Sequence, residues 1–195
     1  MLNQLPKSEI YQYFSYLGHN DNLVAYCDYI PLPDWKYPSI DQKKLEKMFL
    51  TDQSYIQNQH VLDLGCHTGF FSYCAKHFGA KTVHGVNIRE KPIDVANYAF
   101  NQLSQTDFYF ECADIENINF LSQLCQNKDT VLLTLVLEHL KNPYGVLEAI
   151  TNSGVQNLIF ESAVFSTEVA NPLLKYYPQT TNSMFTVYNK GLDIG

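Results

Sequence analysis

From His60 onward, short apolar runs rich in β-branched residues alternate with longer stretches whose apolar positions recur at helical spacing. The short runs are residues 60–64, 82–86, 108–112, 130–135 and 157–161, and enough chain separates each from the next for a crossover helix. This alternation predicts five β/α units and therefore an α/β fold, a doubly wound and mostly parallel sheet.

The intervening stretches predict helices of unequal definition. Phe70, Phe71, Cys74, Ala75 and Phe78 fall on one helical face, with Gly79 placed to end the helix in the left-handed conformation. Pro92 suits a first turn, followed by the stripe Ile93, Ala96, Phe100 and Leu103. Ile118, Leu121 and Leu124 form a thinner stripe, which predicts a short helix or an irregular crossover. Asn142 can cap, and Pro143 open, a helix that buries Val146, Leu147 and Ile150.

Residues 1–58 differ in character and are read as an aromatic-rich helical extension or lid packed on a core of residues 59–195. Ser8 can cap a helix carrying Ile10, Tyr13, Phe14 and Leu17 up to Gly18. A proline-punctuated loop (Pro31, Pro33, Pro38) then leads to a second helix over 45–50. Its aromatics serve either to cover a sheet face or to close over a ligand. After Ser162 only residues 184–188 read as a strand, so the sheet is expected to finish with an incomplete hairpin, its edge calling for a partner or a second copy of the chain.

Hydrophobic residues make up 46% of the 195 and charged residues 17%, which describes a packed domain and excludes a disordered acidic chain. The formal charge of −7 and the lack of any basic run disfavour broad nucleic-acid binding, which needs many cations to neutralise phosphates. No apolar stretch approaches the roughly 20 residues that span a bilayer. The five cysteines include no C-x-x-C pair and read as reduced thiols in a cytoplasmic protein. His19, His60, His77 and His84 show no ligand spacing, so no metal is expected.

Candidate chemistry concentrates in the first β/α turn, which lies beside the ligand crevice of open α/β sheets. It contains Asp63, Leu64, Gly65, Cys66, His67, Thr68, Gly69 and Phe70. Gly65 and Gly69 permit backbone geometry and close approach that a Cβ would block. His67 and Phe70 stand where G-x-G-x-x-G requires glycine, which disfavours NAD, and the phosphate-binding G-x-x-x-x-G-K-[ST] is absent.

This turn resembles the first motif, D-x-G-x-G-x-G, of the class I S-adenosylmethionine-dependent methyltransferases. Asp63, Gly65 and Gly69 match it, and His67 replaces the middle glycine. The resemblance extends over about residues 59–162 and implies a Rossmann-like methyltransferase fold. It also implies roles: residues 63–69 around the methionine part of S-adenosyl-L-methionine, Asn87 with Ile88 at the ribose, and Asp114 with Ala113 and Ile115 at the adenine amine. Leu135 and the run to Leu140 would lie along the cofactor and face the acceptor, with His139 as a base or orienting group. S-adenosyl-L-homocysteine would be the product.

Methyl transfer from a sulfonium depends mainly on in-line positioning and exclusion of water, with a base only where the acceptor must lose a proton. The leading reading is therefore a methyltransferase acting on a small molecule or on one site of a larger acceptor. His67 and Asn87 support a second reading, a degenerate, non-catalytic domain serving as an interaction subunit. A third is transfer-RNA modification, since residues 32–36 resemble a segment of such enzymes.

Overall fold

The computed structural model describes residues 52–101 and 106–162 together with the backbone of 102, 163–164 and 182–189, so the expectations for residues 1–51 and for Leu103 lie outside the described residues. Ten principal elements alternate along the chain. They are β1 (His60–Leu64), α1 (Phe70–His77), β2 (Thr82–Asn87), α2 (Glu90–Gln102), β3 (Phe108–Cys112), α3 (Ile118–Leu124), β4 (Thr130–Thr134), α4 (Pro143–Asn152), β5 (Asn157–Val164) and β6 (Asn182–Asn189). The sheet order is β3-β2-β1-β4-β5-β6, with β1 to β5 parallel and β6 antiparallel to β5.

All five strands expected from the pattern are present, and a helix follows each of the first four. The central strands β1 and β4 are buried on both faces, as their continuous apolar runs require. Alternation along them divides the core in two. Leu62, Leu64, Val131 and Leu133 pack against Leu121 and Leu124 of α3 and Val146 and Ile150 of α4. On the opposite face, Val61, Val83, Leu132 and Ile159 pack against Cys74 and Ala75 of α1. Toward the β3 edge, Ile93, Ala96 and Phe100 of α2 close over Phe110, with the two phenyl rings 4.7 Å apart.

The helix boundaries follow local chemistry. Gly79 takes φ +96° just past α1, as its position predicted. The thin stripe resolves into the seven-residue helix α3, started by Asn117, whose Oδ1 accepts from the Phe120 N–H at 3.3 Å. Asn142 caps α4 by accepting from the Gly145 N–H at 3.0 Å, with Pro143 in the first turn. The predicted final strand is longer than 184–188 and pairs with β5 from Asn157↔Asn189 to Val164↔Asn182. It is the one strand described after β5, so β3 and β6 form the sheet edges among the described residues.

Candidate active site

Because β1 to β4 run parallel, the loops after their C-terminal ends line one rim, in the spatial order β3, β2, β1, β4. The loop after β1 is held over β2 by its main chain: the Gly65 and Cys66 N–H groups both donate to the Val86 carbonyl, at 2.8 and 3.0 Å. Gly65, His67 and Gly69 have φ of +78°, +51° and +87°. A Cβ on Gly65 would collide with the Val136 side chain after β4, and one on Gly69 would press on the Phe100 and Phe110 rings. Two adjacent loops thus meet where the first glycine stands. The Leu64 and Cys66 side chains are turned into the core, and Phe70 packs among the aromatics, so this loop offers a ligand mainly backbone.

Asp63 lies on the α1 face of β1 with no exposure at all. Its Oδ2 accepts from the Ser72 Oγ at 2.6 Å, whereas its Oδ1 has no partner among the described residues. Burial pushes this carboxyl up to about 6, a shift that hydrogen bonds from Ser72 only partly oppose. Ser72 was not singled out from sequence, although its place early in the helix that follows the motif is a readable cue. Beside it, burial pushes the Cys66 and Cys74 thiols well above their ordinary range. His67 is half-buried, and burial, together with the Arg89 charge, holds its ring below the usual imidazole range.

At the end of β2, Asn87 is half-buried and donates through Nδ2 to the Arg89 carbonyl at 3.3 Å. The next residue, Ile88, is 63% exposed, unusual for an isoleucine beside a packed sheet. The Ala113 N–H donates to the Asn87 carbonyl at 3.0 Å, which joins the loops after β2 and β3. Asp114 is exposed, and its Oδ1 accepts from the Glu116 N–H at 2.9 Å, so it shapes a turn while presenting a carboxylate to the rim. Ile115 is buried in the core.

After β4, Leu135 takes φ +54°, a conformation rarely adopted by a branched residue, and its N–H donates to the Glu161 carbonyl at 2.8 Å. A single 3-10 turn, Leu137–His139, follows. His139 is exposed on this turn, its N–H bonded to the Val136 carbonyl at 2.9 Å. Neighbouring Glu138 accepts from the Ser162 Oγ at 3.1 Å. Residues 63–69, 87–88, 113–115 and 135–139 therefore share one rim, and Gly65 and Val136 place two of its loops in contact. Among the described residues no group of three or more His, Cys, Asp or Glu is arranged to hold a metal ion, and no helix is long and apolar enough to cross a membrane.

A family model described as a methyltransferase domain matches residues 57–190. The chain is 32% identical over 122 residues to a ubiquinone biosynthesis O-methyltransferase of Coxiella burnetii, covering 59% of this chain and 50% of that protein. It thus spans about half the length of this curated relative. Among solved structures, the YcgJ protein of Bacillus subtilis superposes with a TM-score of 0.54 at 14% identity, covering 63% of this chain and 51% of the other. The [4+2]-cyclase SpnF does so with a TM-score of 0.50 at 15% identity, covering 62% and 43%. These two show the fold alone, whereas the family match extends over most of the chain and includes every loop of the rim. The chain belongs to the methyltransferase-domain family, in its class I, S-adenosylmethionine-dependent form.

Proposed function

We propose that this chain binds S-adenosyl-L-methionine along the rim and catalyses methyl transfer to a small-molecule acceptor, releasing S-adenosyl-L-homocysteine. The observation that carries this reading is Asp63, a fully buried carboxyl with one unpartnered oxygen beneath a glycine loop at the end of β1. A carboxylate held without a full set of donors is matched by a ligand that brings donors or positive charge. Exposed Ile88 and the open carboxylate of Asp114 fit the flat apolar face and the exocyclic amine of an adenosyl group.

The bound cofactor supplies an electrophilic methyl group on a sulfonium. The protein's own part is chiefly positioning. The backbone of residues 65–69, with Asp63 buried beneath it, would hold the amino-acid end, while Asn87 and Ile88 would contact the ribose and the base. Asp114 would accept from the adenine amine, and Leu135 would line the cofactor's path. His139, exposed on the turn after β4, would take the proton from an acceptor hydroxyl; the methyl group moves to that oxygen as its bond to the cofactor's sulfur breaks, and S-adenosyl-L-homocysteine leaves as the neutral thioether.

The reading of residues 59–195 as one catalytic unit, covered by residues 1–58 and working in the cytoplasm, belongs to this proposal. The acceptor class draws support from the Coxiella burnetii relative, whose name describes an O-methyltransferase. The test is incubation with methyl-labelled S-adenosylmethionine and a panel of phenols and catechols. Transfer of label with formation of the homocysteine product, abolished in Asp63→Ala, is the expected result. A folded protein that transfers no label to any of them counts against it.

A second reading, binding without catalysis, is favoured by the Asn87 amide already engaged by the Arg89 carbonyl where a ribose-binding carboxylate is expected. Cofactor binding without turnover, raised by Asn87→Asp, would favour it.

A further inference from the structure

Glu116 belongs to none of the roles described so far, yet it lies between two of them. Its N–H donates to the Asp114 Oδ1 at 2.9 Å. Its own carboxylate reaches across the rim, where Oε1 accepts from the Lys141 N–H at 2.7 Å and the Asn142 N–H at 2.9 Å. A continuous run of three hydrogen bonds therefore joins the loop after β3 to the loop after β4. The pair on Oε1 is charge-assisted, the stronger kind, and both bonds converge on one carboxylate oxygen.

The simplest alternative is that Glu116 serves only to start helix α4. That helix already has its own start: Asn142 Oδ1 caps the Gly145 N–H, and Pro143 occupies the first turn. The two N–H groups bound by Glu116 lie before the helix, at the end of the segment that carries Glu138 and His139. What the carboxylate fixes is the return of that segment, relative to the turn that sets Asp114.

From this geometry we infer that Glu116 is a positioning residue: it couples occupation of the adenine-side loop, residues 113–117, to the ordering of the acceptor-side loop, residues 137–142. Through it, a ligand held at Asp114 stabilises the segment bearing His139, so that the acceptor side is set when the cofactor is in place. The inference rests on the cofactor reading above, and its test separates the two.

The experiment is amide hydrogen exchange of the full chain with and without S-adenosyl-L-homocysteine, in wild type, Glu116→Ala, Glu116→Asp and Glu116→Gln. In wild type the ligand slows exchange in both loops. In the Ala variant, and in Asp, which is one methylene too short, the loop at 113–117 is still slowed, while the ligand-dependent slowing at 137–142 falls by about tenfold, as expected when hydrogen bonds to a charged acceptor are lost. Gln, whose amide oxygen can accept the same two N–H groups, restores it. Exchange within α4 itself, residues 143–152, stays unchanged in the ligand-free variants. Ligand-dependent slowing of 137–142 that persists undiminished in both Ala and Asp overturns the coupling alone, as does faster exchange throughout α4, which would make Glu116 a helix-start residue. Slowing of neither loop in wild type overturns the cofactor reading and the coupling with it.

Discussion

Replacing Asp63 with Asn removes a charge from a site that opposes it, so the account predicts a gain in stability together with a loss of binding. The folded-state carboxyl is raised from its ordinary 3.8 to about 6, and burial is the main cause. A raised carboxyl penalises the native state only when it must ionise. Below about pH 4 both folded and unfolded forms are protonated and the penalty is absent. It grows between about pH 4 and 6, where only the unfolded chain has released its proton, and it is complete above about pH 7. About two pH units at about 1.4 kcal/mol each give a cost of about 3 kcal/mol. An asparagine of the same shape avoids this cost and keeps a neutral hydrogen bond from Ser72. Asp63→Asn should therefore be about 1–3 kcal/mol more stable than wild type at pH 8, with the difference vanishing near pH 4. Urea denaturation at pH 4, 6 and 8 measures this directly through the midpoint and slope. A stability difference that stays constant across the three pH values would refute the assignment of the penalty to Asp63. The same substitution should abolish adenosyl-ligand binding, a trade of function for stability expected where a buried charge is kept for a ligand.

Three further predictions follow from the rim. Ser72→Ala removes the hydroxyl from Asp63 Oδ2, and should destabilise the protein at pH 8 by about 2 kcal/mol but much less at pH 4, checked by the same denaturation series. Gly65→Ala puts a Cβ into Val136 and a side chain at positive φ; it should cost about 2–3 kcal/mol and weaken S-adenosylhomocysteine binding at least tenfold by calorimetry. His139→Ala should lower turnover by about a hundredfold or more, while leaving the affinity for S-adenosylhomocysteine within about twofold of wild type; equal losses in both would remove it from the role of base.

Most of the parallel sheet was legible because each strand is a local run with its own boundaries and each helix buries one stripe. Strands β1 and β3 begin and end where the apolar runs do, and the Asn142–Pro143 start of α4 is written in adjacent residues. Even the thin stripe before β4 becomes a helix, because Asn117 supplies the cap that its weak pattern lacked. The glycine loop was legible for the same reason.

What escaped is chemistry made by register and by loop crossing. His84 carries no ligand spacing in sequence, yet its Nε2 lies 2.8 Å from Glu111 on the neighbouring strand, a pairing set by the β2–β3 register. Glu116 meets Lys141 and Asn142 across 25 and 26 positions of chain. No periodicity announces such a contact, since it depends on where two turns reach the same rim. The left-handed Leu135 is hidden too, because a leucine in sequence gives no sign of a conformation imposed by its neighbours. The strand after β5 was legible only in part: its apolar centre was read, while its full eight residues appear through pairing with β5.

In the function proposed above, the rim after β1 to β4 is an adenosyl-cofactor site built around Asp63. Calorimetric titration of the full chain with S-adenosylmethionine and S-adenosylhomocysteine, with NAD as control, tests it most directly. Both adenosyl ligands should bind and NAD should not, with an affinity that rises from pH 5 to pH 7 as Asp63 gives up its proton. A folded chain that binds neither adenosyl ligand, or that binds NAD equally well, would contradict it.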